Sequence, residues 1–221
     1  SEETIIYHIS KAYPDHRFLC EESGVSGNPD SDVEWIIDPL DGTTNFIRGI
    51  PHVAISIACR IKGKLEHGVI VEPFKHEEFT ASRGDGAKLN GRRIRVSGRA
   101  SEVGALYATG IPFSSPSFDH MDGYLKTMHE LATNSSGIRR MGAAALDLAY
   151  VAAGRMDAFW EMHLKPWDIA AGALLVREAG GMVSDFQGGE KFLETGHIVA
   201  CTPKLVKPTL KVISKHLGKV K

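Results

Sequence analysis

The sequence predicts an α+β protein, with layers of helices and sheets stacked in two lobes. Three observations predict this. Residues 53–97 read as an antiparallel meander, "HVAISIACRIKGKLEHGVIVEP" followed by "EEFTASRGDGAKLNGRRIRVS". From "SEVGALYATG" onward the texture changes to helical spacing broken by single short strands. A chain of 221 residues with 43% hydrophobic content is also long enough to fill a substantial core. The expected division is an N-terminal lobe over residues 1–100 and a C-terminal lobe over 101–221.

The elements follow in order. "SEETIIYHISKAYP" reads as a helix with Ile5, Ile6 and Ile9 on one face, stopping near Tyr13-Pro14. It starts as a helix already under way, with no initiator Met, so we expect a chain lacking its first residues. "RFLCEESG" reads as a short buried strand running into a loop, and "SGNPDSD" as turn chemistry. "VEWIID" is a second strand, ending in a stiff turn, Asp38-Pro39-Leu40-Asp41. The first two strands of the meander join at Lys62-Gly63. "FDHMDGYLKTMHELATN" has helical spacing, and "AAALDLAYVAAG" is a short helix whose alanines demand tight packing. "RMDAFWEMH" is a strand. "PWDIAAGALLVREAGG" is a helix with Pro166 before it, Asp168 at its N-cap and Gly180-Gly181 at its end. "MVSDF" and "HIVACT" are strands, Asp185 is a turn or cap residue, and "KLVKPTLKVISKHL" is the closing helix.

Composition excludes several classes. The net charge of -1 provides no global field to draw nucleic acid or an anionic membrane. No apolar run is long enough to span a bilayer, and there is no secretory signal. Cys20, Cys59 and Cys201 lie in separate apolar stretches without a CxxC, which reads as buried free thiols in a reducing cytoplasm. The ten histidines show no metal-ligand spacing.

Carboxylates stand where apolar elements end: Glu21-Glu22 after "RFLC", Asp38 and Asp41 after "EWII", and Asp168 at the start of "WDIAAGALLV". Singly, each has an ordinary structural explanation. Asp-Pro and Asp-Gly form turns, an Asp caps a helix, and paired glutamates suit a solvated loop. Converging on one cleft, they would repel one another, and a hard divalent cation would relieve that repulsion. Mg²⁺ prefers oxygen ligands and shares its site with phosphate. The Asp38–Asp41 segment can present both aspartates and the Leu40 carbonyl to such ions. "GTTNF" beyond it offers backbone N–H groups at a helix start, with the Thr43 hydroxyl placed to orient a water. Metal ions clamping a phosphate beside a positioned water is the arrangement of two-metal phosphoester hydrolysis.

"WIIDPLDGTTNFIRGIPHVAISIA" resembles the first signature of the inositol monophosphatase family, and "PWDIAAGALLVREAGG" its second. "EES" at Glu21–Ser23 resembles the family's upstream glutamate motif, and "RRMGAAALDLAYVAAGRMDAFWE" its substrate-pocket region. The resemblance covers essentially the whole chain and is nearest to the bacterial members, among which a role in transcription antitermination occurs. It implies the family's layered αβαβα sandwich. It further implies that Glu21, Asp38, Asp41, Asp168 and the Leu40 carbonyl bind Mg²⁺, and that Glu21, Asp41 and Thr43 are catalytic. Gly42 and Thr43 would meet the phosphate. Gly142, Ala144, Glu161 and Asp168 would face the sugar or inositol. An upstream aspartate and a mobile loop belong to the family pattern and lie outside this chain.

The expectation is a cytoplasmic, lithium-sensitive phosphomonoesterase that hydrolyses inositol monophosphate or a similar polyol phosphate, as a homodimer. Two rivals stand beside it. One is a sugar bisphosphatase or nucleotide 3'-phosphatase with the same metal core. The other is a regulatory protein that contacts the transcription machinery. "GRRIRVSGR", Gly91–Arg99, concentrates four arginines, yet no aromatic residues interleave to stack bases, so it reads as a solvated strand face.

Overall fold

The computed structural model describes residues 1–111 and 117–218 and stacks them in five layers, helix, sheet, helix, sheet, helix. Helix α1 (Glu2–Ala12) forms the first layer, with Ile5, Ile6 and Ile9 packed on Phe18, Cys20 and Ile37 as their spacing predicts. Beneath it lies an eight-stranded sheet in the order β2-β1-β3-β4-β5-β6-β7-β8. Its strands are β1 (Arg17–Cys20), β2 (Gly24–Gly27), β3 (Val33–Asp41) and β4 (Ala54–Ile61), then β5 (Lys64–Glu72), β6 (Glu77–Ser82), β7 (Gly86–Leu89) and β8 (Arg92–Arg93). Only β1 and β3 pair in parallel; the remaining pairs are antiparallel. The β4–β5 hairpin turns at Lys62-Gly63, both at positive φ (49° and 78°), which keeps the twist of the flanking strands. A short helix, α2 (Thr43–Ile47), follows β3 directly.

The sheet is apolar on both faces because each is covered. Ile37 and Phe18 point to α1, while Ile36 points the other way, into the largest core cluster. That cluster holds the third layer, α4 (Ala144–Ala152) and α5 (Pro166–Glu178). Every residue of α5 from Ile169 to Val176 is buried, since sheets lie on both sides of it. Small residues permit the approach: Gly172 lies against Leu148 of α4, and Gly68 of β5 against Ala171.

The fourth layer is a five-stranded sheet, β10-β9-β11-β13-β12. It comprises β9 (Leu106–Thr109), β10 (Gly137–Arg139), β11 (Ala158–Glu161), β12 (Met182–Ser184) and β13 (Ile198–Cys201). The β10, β9 and β11 strands run parallel, and β13 pairs antiparallel to both β11 and β12. Helices α3 (Met121–Thr133) and α7 (Val206–Leu217) close the stack. They bring Tyr124, Leu131 and Ile213 onto Tyr107, Trp160 and Val199. The short α6 (Phe192–Thr195) links β12 to β13.

Several sequence expectations need correction. The Asp38–Asp41 segment is not a turn: β3 runs through it with a register shift between Asp38 and Asp41. Pro39 has no N–H to offer a ladder, and such an irregularity is where a strand tolerates it. Pro166 is the first residue of α5, not its forerunner, and Lys165 occupies the N-cap. Asp168 sits a turn inside and accepts a hydrogen bond from the Lys165 N–H (2.7 Å). Part of the "SGNPDSD" turn is strand β2. Asp185 is a turn residue as expected; its Oδ1 accepts from Gln187 and Gly189 N–H, both at 2.8 Å. All three cysteines are free and buried. Among the described residues no helix is long and apolar enough to cross a membrane.

Candidate active site

The parallel pair β1/β3 begins the site. Cys20 is in register with Ile37, and the Glu21 N–H donates to the Ile37 carbonyl (3.1 Å), so Glu21, just past the end of β1, lies beside Asp38 of β3. Besides burial and Asp41, the Glu21 charge is close enough to raise the Asp38 carboxyl. Asp38 is 1% exposed and its Oδ1 also accepts the Leu40 N–H (2.8 Å). Asp41, at the end of β3, accepts the Ala145 N–H at the start of α4 (2.7 Å). A negative side chain at that end of a helix meets the positive end of its dipole. Thr43 donates its hydroxyl to the Leu40 carbonyl (3.1 Å).

These groups border a cleft of about 600 Å³. Glu21, Asp41, Gly42, Thr43, Gly142, Ala144, Glu161 and Asp168 all line it. Asp38, which is buried, and Leu40, which is half-buried, are not among the residues that line it. Gly42 has φ +90°, and a Cβ there would stand 3.0 Å from the His52 carbonyl oxygen, so glycine is required at this bend. Gly110 makes room for the Glu161 carboxyl: a Cβ there would lie 1.7 Å from Glu161 Oε1 and displace it.

The electrostatics follow from crowding. Burial, then the Asp168 charge, push the Asp41 carboxyl up to about 8. Asp38 is raised by burial, then by Asp41 and Glu21. Asp168 rises to about 6, chiefly through burial. Glu161 rises to about 8 through burial and then the Asp168 and Asp41 charges. Acidic groups from four separate segments thus raise the cost of each other's ionisation. Among the described residues no three His, Cys, Asp or Glu side chains form a closed coordination group. Asp38, Asp41 and Asp168 each turn one oxygen to a nearby backbone N–H. The donor set is nonetheless all oxygen, and its excess negative charge suits a hard divalent cation.

Sequence reasoning missed several residues of the cleft. Asn45 is buried and its Nδ2 donates to the His52 and Met141 carbonyls, both at 2.9 Å, which sews the α2 segment to the loop before α4. Asp147 is 1% exposed and its Oδ1 has no hydrogen-bond partner. Its carboxyl is raised well above the usual range by burial, then by Glu161 and Asp41. The available signal was a lone acid within "AAALDLAYVAA", otherwise all apolar but for one tyrosine hydroxyl. Arg140, Thr109 and Lys165 also line the cleft and carry no comparable signal.

A model of the inositol monophosphatase family matches residues 1–217. The chain is 58% identical over 219 residues to a Pseudomonas aeruginosa protein named Nus factor SuhB, covering 98% of this chain and 81% of that protein. The crystal structure of the extragenic suppressor protein suhB from Bartonella henselae superposes with a TM-score of 0.92 at 47% identity. That match covers 97% of this chain and 81% of the other. The Staphylococcus aureus protein SaIMPase-II, solved with inositol monophosphate bound, superposes with a TM-score of 0.83 at 25% identity, covering 98% and 82% of the two chains. The match along nearly all of the sequence and the shared five-layer stack lead to one conclusion: the chain belongs to the inositol monophosphatase family.

Proposed function

We propose that this protein is a Mg²⁺-dependent phosphomonoesterase acting on inositol monophosphate or a similar polyol phosphate, with water attacking phosphorus directly. The observation that supports it is the convergence of Glu21, Asp41 and Asp168 on one cleft, with Asp38 near enough to feel the Asp41 and Glu21 charges. Glu21, Asp38, Asp41, Asp168 and the Leu40 carbonyl would hold the cation. When bound, Mg²⁺ supplies neutralisation of phosphoryl charge and a more acidic water. The chain's own groups do the rest. Thr43, whose hydroxyl donates to the Leu40 carbonyl, keeps its oxygen lone pairs to accept from the water and orient it, and Glu21 would receive the proton. The Gly42 and Thr43 N–H groups face the phosphate. Glu161, whose carboxyl lies against Gly110, offers hydrogen bonds to ring hydroxyls, with Gly142, Ala144 and Asp168 around the same ring.

The test is Asp41→Asn, assayed with Mg²⁺ against a panel of phosphate esters. We expect a folded protein with less than about a tenth of wild-type turnover, a barrier rise above about 1.4 kcal/mol. Retained turnover would remove Asp41 from the centre of the site. The panel also separates a polyol monophosphate from a sugar bisphosphate or a nucleotide 3'-phosphate. Relatives named Nus factor SuhB favour a second, compatible reading, in which the protein also contacts the transcription machinery. Asp41→Asn decides between them in cells: a regulatory role survives loss of turnover, and a purely enzymatic one does not.

A further inference from the structure

Helix α1 does more than cover the outer face of the larger sheet. Its first turn reaches the ends of both strands that carry the acids. Glu2 is only 8% exposed although it opens a helix. Its Oε2 accepts the Glu22 N–H (3.1 Å) and its Oε1 the Ser23 N–H (3.0 Å). Beside it, Ser1 Oγ donates to the Pro39 carbonyl (3.3 Å). One helical turn therefore grips the 21–23 loop and the irregular segment of β3 together.

We propose that Glu2 is a positioning residue: it fixes the three-residue loop between β1 and β2 so that Glu21 faces Asp38, and so sets the affinity of the cleft for a divalent cation. The inference rests on the reading of the cleft as a Mg²⁺ site. Glu21 itself is exposed, and its backbone is held by one bond to Ile37. The next two amides depend on Glu2. Hydrogen bonds from N–H groups to an ionised carboxylate are the strong kind, and each oxygen here takes one. A glutamine could accept only one of the two, because its other terminal atom is an NH₂. An alanine would leave both amides without a partner and free the loop that aims Glu21. Residues that orient a metal ligand typically change metal affinity about 10–100-fold when lost.

The experiment compares Glu2→Ala, Glu2→Gln and Glu3→Ala with wild type in the full chain. Glu3 is exposed on the same turn and serves as the control. Mg²⁺ affinity is measured by calorimetry and by the Mg²⁺-induced rise in melting temperature, and kcat and KM at saturating Mg²⁺. Glu2→Ala should weaken Mg²⁺ binding about tenfold or more, Glu2→Gln by a smaller factor, and Glu3→Ala by less than about twofold. At saturating Mg²⁺, where the bound cation itself would hold Glu21 in place, kcat and KM should stay within about threefold of wild type, a split that general loss of structure would not produce. Equal Mg²⁺ affinity in Glu2→Ala and wild type overturns the inference and leaves the metal site standing. No Mg²⁺ binding by wild type overturns both. Loss of fold in Glu2→Gln, which keeps one acceptor, would show that Glu2 is structural only.

Discussion

Gly172→Ala tests whether the spacing of α4 and α5 governs both stability and the cleft. A Cβ at position 172 would stand 2.5 Å from Leu148 Cβ and 2.6 Å from its Cδ1. Carbon atoms in contact prefer about 3.5–4.0 Å. A new rotamer could move Cδ1 but not Cβ, which is fixed to the α4 backbone. The helices must therefore part by on the order of 1 Å. Overpacking of this kind costs about 1–3 kcal/mol. Replacing glycine inside a helix returns up to about 1 kcal/mol. Because the clash is with a rigid atom, we take a net loss of about 1–2 kcal/mol. For a chain of this length each kcal/mol lowers the melting temperature by about 2–4 °C, so the expected drop is about 2–8 °C. Parting the helices also moves the Ala145 N–H, and Asp41 with it, away from Asp168. Mg²⁺ half-saturation should rise severalfold. Thermal melts with EDTA and with Mg²⁺, together with a Mg²⁺ titration of turnover, provide the readout. An unchanged or higher melting temperature would refute the argument that these helices meet at a rigid contact.

Glu161→Ala should raise KM at least about tenfold more for a polyol phosphate than for an aryl phosphate, since a hydrogen bond to a charged partner contributes about 1.5–3 kcal/mol. Equal losses on both esters would place Glu161 outside the alcohol pocket. Without metal, stability should fall as pH rises from 6.5 to 8. The folded Asp41, raised to about 8, holds a proton that the unfolded chain has released, so the folded state binds more protons across this window. Melting temperatures in EDTA that stay flat or increase across that range would contradict the crowding of these acids, and Mg²⁺ should abolish the slope. Lithium should inhibit turnover at saturating Mg²⁺, read from a simple titration; insensitivity would count against the proposed cation site.

What could be read from the sequence was what local periodicity and turn chemistry encode. The β4–β5 hairpin at Lys62-Gly63 and the Ile5-Ile6-Ile9 face of α1 follow from residue spacing alone. The acids of the cleft stood out because each ends an apolar run. β10 escaped because three residues, Gly137–Arg139, carry no alternation, and α6 because four residues make barely one turn. The irregularity at Asp38–Asp41 read as a turn because Pro39 and two aspartates favour turns locally. Pairing with Ser56 and Ala54 of β4 is a tertiary fact that overrides that preference. Asp147 was hidden by its helix. Its neighbours specify a core, and only the cleft at the end of α4 shows what the carboxyl faces.

The buried helix pair also has a consequence for synthesis. The larger sheet is complete once residue 93 has emerged, but the layer that covers its inner face comes from residues 144–178. A ribosome adding about 5–20 residues each second leaves that apolar face open for on the order of ten seconds. The nascent chain must survive this interval before α5 can dock, with Ile36, Ile70 and Phe79 still lacking their partners. Asp168 reaches Asp41 only when it does.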